Sequence, residues 1–237
     1  MKKFYKDYRD IIRLIIAFII FFFTSLIISI PLSLLGITIK EQTTEYYLLT
    51  VAINVLRCLF LVILFRKDLI KDFKPFKKNF WKYMDTAVKF WLIGILVMAV
   101  SNILIMLFSP AKVANNEQGI KTMINAIPIL SLILTGITAP VSEEILFRRA
   151  FRNAIKDKIT FVIISGFVFG ALHVVTSYQT PFDLLYIIPY SSCGVAFAAT
   201  CAKTENVFPS MLVHSVHNSA ATIANIFMGM IIWKELM

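Results

Sequence analysis

The run IIRLIIAFIIFFFTSLIISIPLSLL, at residues 11–35, indicates the fold class of the whole chain. Arg13 is its single charged residue. A helix needs about 20 apolar residues to cross the ~30 Å hydrocarbon core of a bilayer, so this run is long enough to span it. The basic segment MKKFYKDYRD precedes it, as in a signal peptide, but the run offers no convincing small-residue cleavage site. We therefore predict an uncleaved first membrane span.

Six further apolar runs of spanning length follow, at about residues 46–65, 88–109, 124–147, 159–177, 183–201 and 207–232. Of the 237 residues, 58% are hydrophobic and 16% are charged, and the mean hydropathy is +0.77. Soluble domains carry about 25% charged residues, so a soluble protein is excluded. We predict an all-α fold: a polytopic transmembrane helical bundle of about seven spans, with an eighth, interfacial helix as an option.

The net charge of +10 is spread over the connections between the apolar runs, which is typical of membrane proteins and argues against nucleic-acid binding. The connection at residues 66–89 is the most basic, with eight Lys/Arg, and its Phe and Trp residues indicate an amphipathic interfacial stretch. With the N-terminus inside, nineteen Lys/Arg fall on the cytoplasmic side and four outside. We therefore predict a multi-pass cell-membrane protein with a cytoplasmic N-terminus and an external C-terminus.

Two glutamates and all three histidines lie inside predicted spans, where ionisable groups are expensive and indicate function. They are Glu143 and Glu144, in the run ITAPVSEEILF at residues 137–147, and His173, His214 and His217. Twelve of the fourteen Asp/Glu lie elsewhere, in loops, at span edges or in the terminal segments. The simpler interpretation is that both glutamates only balance nearby arginines at an interface. The three cysteines, Cys58, Cys193 and Cys201, have no paired spacing and are interpreted as buried hydrophobes.

Helical spacing assigns distinct roles to the two glutamates. Glu144 precedes Arg148 by four residues, the favourable order for an ion pair on one helix face. Glu143 is rotated by about 100° from Glu144, so it is less well placed for that arginine and is available as a base. Glu143 and His173 flank a charged turn near Asp157, and helical rise puts both ~21–24 Å from it. They are therefore expected at one level on neighbouring helices.

His214 and Asn218 share a face of the last span, ~13–20 Å along it by helical rise. A buried carboxylate and an imidazole can activate water, and a second imidazole with an amide can stabilise an oxyanion. His217 is one turn from His214 and could exchange roles with it. Phe169 precedes His173 by four residues and is expected to pack against it. Arg57, in the second span, needs a buried acceptor or must extend to the interface.

The run Glu143-Glu144-x-x-x-Arg148, then Phe169-x-x-x-His173, then His214-x-x-x-Asn218 resembles the three motifs of the CAAX-protease and bacteriocin-processing (CPBP) family of intramembrane endopeptidases. The family is related to the CAAX prenyl endopeptidase, and the resemblance covers about residues 125–220. It implies that Glu143 and His173 activate water, that His214 and Asn218 stabilise the oxyanion, and that Glu144 and Arg148 support the site. One departure is Arg149, where the family usually has a small residue.

The leading hypothesis is a bacterial intramembrane endopeptidase that needs no metal or other cofactor and acts on a peptide or membrane-protein substrate in the bilayer. A zinc-dependent version, with Glu143, His173 and His214 as ligands, is one alternative. A non-catalytic membrane protein of bacteriocin self-immunity is another, and a proton-coupled transporter is weaker because the chain has no inverted repeat. Residues 1–110 are interpreted as scaffold spans and 124–232 as the catalytic core. The substrate and the oligomeric state stay open.

Overall fold

The computed structural model describes residues 2–108 and 114–235, with side chains at 8–108 and 114–229. The described residues form an all-helical fold without strands. The α-helices are α1 Lys2–Leu34, α2 Thr44–Lys78, α3 Phe80–Phe108, α4 Asn115–Ala126, α5 Pro128–Ile133, α6 Ala139–Glu143, α7 Phe151–Ala154, α8 Lys158–Val175, α9 Ile187–Thr204 and α10 Phe208–Glu235. Two π-helical segments, Leu134–Thr138 and Glu144–Ala150, and a 3-10 segment, Pro181–Tyr186, join some of them.

Among the described residues, six helical segments are long and apolar enough to cross a membrane, so the chain is a multi-pass membrane protein. They are Tyr8–Leu34, Thr44–Lys78, Phe80–Phe108, Pro128–Ala154, Lys158–Val175 and Pro181–Thr204. Each overlaps one predicted span, although residue 109, the predicted end of the third, lies outside the described residues. The seventh predicted span, 207–232, coincides with α10, but the part of α10 whose side chains the structure describes is not among the six. Its polar residues, including His214, His217 and Asn218, lower its mean hydropathy.

The composition of the basic connection at residues 66–89 indicates a separate interfacial stretch. In the structure these residues instead belong almost entirely to α2 and α3. Helix α2 continues to Lys78 and α3 begins at Phe80, so Asn79 alone separates them. The Asn79 backbone amide and side-chain amide both donate to the Pro75 carbonyl, at 2.9 and 3.0 Å. Lys and Arg are good helix formers, and the segment contains no glycine that would end the helix earlier. The basic residues therefore lie on the ends of two long helices.

The fourth predicted span is interrupted near both of its prolines, Pro128 and Pro140. Helix α4 ends at Ala126, and Pro128 occupies the first turn of α5, where its missing N–H costs nothing. Pro140 likewise sits in the first turn of α6, between the two π-helical segments. Such segments are rare and frequently mark functional sites. Glu143 is the last residue of α6, and Glu144 begins the second π-helical segment.

Contacts among the described residues divide the chain into two units. The first is drawn from Met1–Arg66, Ile120–Leu146 and His214–Met237. Its core contains Tyr47 and Val51 of α2 packed against α4, α5 and the first π-helical segment. In the same unit the Arg13 side chain donates to the Leu64 carbonyl at 3.0 Å. The hydroxyls of Thr135 and Thr222 lie 2.7 Å apart and join that π-helical segment to α10.

The second unit is drawn from Lys67–Gly119 and Phe147–Val213. Gly166 and Gly170 let α8 approach α9 at backbone distance: a Cβ added at Gly170 would lie 2.4 Å from the Ser191 nitrogen. This is the small-residue packing that membrane helices favour. Asp157 caps α8 by accepting from the Thr160 amide at 2.7 Å, and hydrogen bonds from Thr160 lower the pKa of that carboxyl group.

Arg149, the departure from the family pattern, has an acidic partner in the second unit. It forms an ion pair with Asp72, and both side chains are largely buried. Asp72 also accepts from the Val207 amide at 3.1 Å, and its backbone carbonyl accepts from the Asn206 side chain at 2.6 Å. A large residue at position 149 is therefore accommodated by a buried carboxylate on the C-terminal part of α2.

Candidate active site

In the first unit, two predicted site residues, Glu143 and Glu144, flank the imidazole of a third, His214. His214 is buried, and its Nδ1 lies 3.1 Å from Oε1 of the fully buried Glu144. Its Nε2 lies 3.6 Å from Oε2 of Glu143. Because a carboxylate accepts, Nδ1 is the nitrogen that donates, and Nε2 is the nitrogen on the side of Glu143. At 3.6 Å, just beyond a direct hydrogen bond, Nε2 and Glu143 can bind one water molecule in common.

Asn218 lies one turn beyond His214 on α10 and is fixed by the π-helical segment Leu134–Thr138. Its Nδ2 donates to the Thr135 carbonyl at 3.1 Å. An amide group carries two N–H donors, so the second one can serve another acceptor. The contact sets the direction of that second donor. The His214–glutamate contacts, in turn, favour His214 over His217 as the histidine of this part of the site.

Arg57 has the partners that its position in an apolar helix requires. Its Nη1 donates to the Asn54 side chain at 2.9 Å, and its guanidinium lies 4.9 Å from the centre of the Phe21 ring. It also interacts electrostatically with Glu143. Its neighbour Cys58 interacts with the side chain of Ser142, the residue before Glu143. Helix α2 therefore brings a cation to the predicted base, which the sequence did not indicate.

In the second unit, His173 lies among aromatic rings. Its Nδ1 lies 2.8 Å from the Phe169 carbonyl oxygen, which can only accept, so Nδ1 carries the proton and Nε2 has the free lone pair. The Phe169 ring packs against the imidazole, with centroids 4.4 Å apart, as the spacing predicts. The Tyr190 ring stacks on it at 5.0 Å and 23°. The arrangement leaves His173 able to accept a proton at Nε2.

Arg148 is fully buried in the second unit. Its guanidinium lies 4.7 Å from the centre of the Phe169 ring, and its Nη1 donates to the Ser165 hydroxyl at 3.4 Å. Arg148 thus supports the aromatic residue that packs on His173. The predicted Glu144–Arg148 ion pair stays a prediction.

Three residues near the predicted ones were missed by the sequence analysis: Thr135, Ser165 and Tyr190. Each is a common residue in an apolar run, with no periodic or motif signal to single it out. The Pro140-interrupted span was a weak signal for Thr135, because a broken helix can offer carbonyls to side chains. Within residues 2–108 and 114–235, no group of three or more His, Cys, Asp or Glu is arranged to hold a metal ion.

Fold and site together define a polytopic membrane protein that gathers ionisable side chains within its apolar helices. Residues 125–220 match the family model described as Rce1-like, type II CAAX prenyl endopeptidase. The matched range contains all three motifs, from Glu143 to Asn218. The resemblance in the motifs is thus confirmed at the level of the family.

Proteins of two bacteria are similar to part of the chain. The chain is 29% identical over 119 residues to "Putative membrane peptidase YdiL" of Bacillus subtilis, a match of 49% of this chain and 45% of the relative. It is 27% identical over 147 residues to protein YxdF of Lactococcus lactis, which covers 60% of this chain and 79% of that one. The chain therefore spans less than half of YdiL. No solved structure matches the chain.

Proposed function

We propose that the chain is an intramembrane endopeptidase that hydrolyses a peptide bond with a water molecule activated by Glu143 and His173. The observation that carries the proposal is the His214 imidazole, held between two glutamates inside apolar helices. Buried ionisable groups in a membrane are retained for function. The family match at residues 125–220 supports proteolysis as that function.

In this proposal the reaction begins when Glu143, with the Nε2 lone pair of His173, takes a proton from water as the oxygen attacks the peptide carbonyl. The carbonyl carbon becomes tetrahedral and its oxygen becomes an oxyanion. Asn218 donates a hydrogen bond to that oxyanion, and so does Nε2 of His214 when the ring carries a proton on each nitrogen. The proton then passes to the leaving amine, the C–N bond breaks, and the carboxyl product leaves with the water oxygen.

Glu144 and Phe169 act as positioning residues in this scheme. The Glu144 hydrogen bond holds the His214 ring in one orientation, with Nε2 toward Glu143. The Phe169 carbonyl holds the proton of His173 on Nδ1. Fixing a ring and its tautomer in advance lowers the reorganisation needed during reaction.

The test compares membrane peptidomes of cells that contain the wild-type chain or Glu143→Gln. We expect Glu143→Gln to insert at wild-type levels but to lose the wild-type cleavage products, because an amide cannot take the proton. Glu45→Gln is the matched control: Glu45 is exposed in the first turn of α2, and its products should be unchanged.

Wild-type products from Glu143→Gln would contradict the proposal. Bacteriocin protection that survives in both Glu143→Gln and His173→Gln would instead support the non-catalytic alternative. The same peptidomes identify the substrate, whether a soluble peptide precursor or another membrane protein.

A further inference from the structure

We propose that Tyr190 is a positioning residue for His173, and that Asn116 holds Tyr190 in place; this rests on the proposed role of His173. All three residues lie in the second unit. Neither Tyr190 nor Asn116 belongs to a motif, and Asn116 comes from the first turn of α4, before the family-like segment begins.

The hydrogen bond to Phe169 does not by itself fix the imidazole. One bond at Nδ1 leaves the ring free to rock about that contact, and the second side-chain torsion of histidine has a broad preference. The Tyr190 ring, nearly parallel to the imidazole at 5.0 Å and 23°, limits this rotation. Phe169 contacts the same ring at 45°, so the two aromatic rings and one hydrogen bond together define the direction of Nε2.

Tyr190 needs a support of its own, because it borders a cavity of about 270 Å³. The cavity is also lined by Met98, Asn102, Met106, Glu117 and Pro189. A ring beside that much space has room to turn away from the imidazole. The Asn116 side-chain amide donates to the Tyr190 hydroxyl at 3.4 Å and restrains this movement.

The start of α4 is itself anchored, so Asn116 is a firm support. The neighbouring Asn115 side chain donates to the Ser177 carbonyl at 3.2 Å and to the Asp183 carboxylate at 3.1 Å. Asp183 also accepts from the Thr180 amide at 2.7 Å. The connection between α8 and α9 and the first turn of α4 therefore hold each other, with Tyr190 and His173 beside them.

The experiment combines cleavage with a direct view of the imidazole. Full-length protein with ¹⁵N-labelled histidine is purified in detergent micelles, and His173 is assigned by the signal lost in His173→Gln. Wild type should give the Nδ1-protonated tautomer. Tyr190→Leu should give a mixture of both tautomers and lower the formation of Glu143-dependent products by about 10- to 100-fold, the range expected for a misplacement near 1 Å.

Two milder variants test the parts separately. Tyr190→Phe keeps the stacked ring but loses the hydroxyl that accepts from Asn116, so it should shift the tautomer only as much as Asn116→Ala does and retain most of the cleavage. Asn116→Ala removes the hydrogen bond and should shift the tautomer in the same direction as Tyr190→Leu, but less. Tyr178→Leu, an exposed tyrosine of the same unit, is the control and should change neither measurement.

The outcomes separate this inference from the proposed function. A wild-type His173 spectrum in Tyr190→Leu, or in Asn116→Ala if Tyr190→Leu does not fold, would overturn the positioning role. Products retained in Glu143→Gln would overturn the protease, whereas the spectra would still decide whether Tyr190 orients the ring.

Discussion

The carboxylate of Glu143 depends on its neighbours, because a buried charge is costly unless it is compensated. Two basic groups of the first unit meet this need: His214 at 3.6 Å, and Arg57, which interacts with it electrostatically. Arg57 comes from α2, in the half of the chain interpreted as scaffold. This interaction would let that half of the chain contribute to the proposed reaction.

These basic groups lead to a prediction about metal dependence. Zinc would need Glu143, His173 and His214 as ligands, but the Arg57 cation already interacts electrostatically with Glu143, and a second cation beside that carboxylate is unfavourable. We expect purified, active protein to contain zinc well below one equivalent and to keep full activity after chelator treatment and desalting. Elemental analysis by mass spectrometry measures the first and a cleavage assay the second. Stoichiometric zinc whose removal abolishes cleavage would favour the metalloprotease instead.

At the scale of elements, the close approach of α8 and α9 is the contact most sensitive to a single methyl group. Gly170→Ala would put a Cβ 2.4 Å from the Ser191 nitrogen and 2.7 Å from its Cα, which are backbone atoms that cannot move alone. We expect it to destabilise the fold by about 1–3 kcal/mol, as overpacking does. It should also lower the melting temperature and activity, since α8 carries Phe169 and His173.

Gly119→Ala is the matched control for this prediction. A Cβ at Gly119, in α4, would have no atom within 4 Å, and alanine is the better helix former. Its melting temperature in detergent should equal or exceed that of wild type. Equal melting temperatures for Gly170→Ala and wild type would show that the two helices can separate without cost.

The elements differ in how far the sequence predicts them. Continuous apolar runs predict the six membrane-spanning segments, because a bilayer demands length and apolarity from each helix independently. The seventh predicted span, 207–232, stays a prediction, because His214, Asn218 and other polar residues lower the hydropathy of α10. The pattern of apolar runs misses the uninterrupted course of α2, because the lysines that indicate an interface are good helix formers as well.

The site is predictable where spacing on one helix decides it, as for Phe169 beside His173 and Asn218 one turn from His214. It is not predictable where partners are distant in sequence. The Asp72–Arg149 ion pair, the Tyr190–His173 stack and the Arg57–Glu143 interaction each join separate helices. No local periodicity encodes them, because they depend on how the helices pack.

At the scale of the whole molecule, neither unit is a continuous stretch of chain. Each combines part of the first 119 residues with part of the motif-bearing region. The predicted division into scaffold, 1–110, and catalytic core, 124–232, therefore describes where the candidate reactive residues lie in the sequence, and not how the chain folds into units. It stays a prediction. A truncated motif-bearing segment would lack α2 and α3, which supply helices to the two units.

Orientation in the membrane provides the last prediction. Helix α2 has 35 residues and is about 50 Å long by helical rise, longer than the ~30 Å apolar core, so its basic C-terminal part extends beyond the bilayer. Positive charges stay on the cytoplasmic side, which puts Lys78 inside and Glu41 outside. Both residues are exposed.

In a background with Cys58, Cys193 and Cys201 replaced by serine, a membrane-impermeant maleimide added to intact cells should label Glu41→Cys. It should label Lys78→Cys only after permeabilisation. The reverse pattern would invert the orientation, and labelling of both from outside would mean that α2 does not cross the membrane.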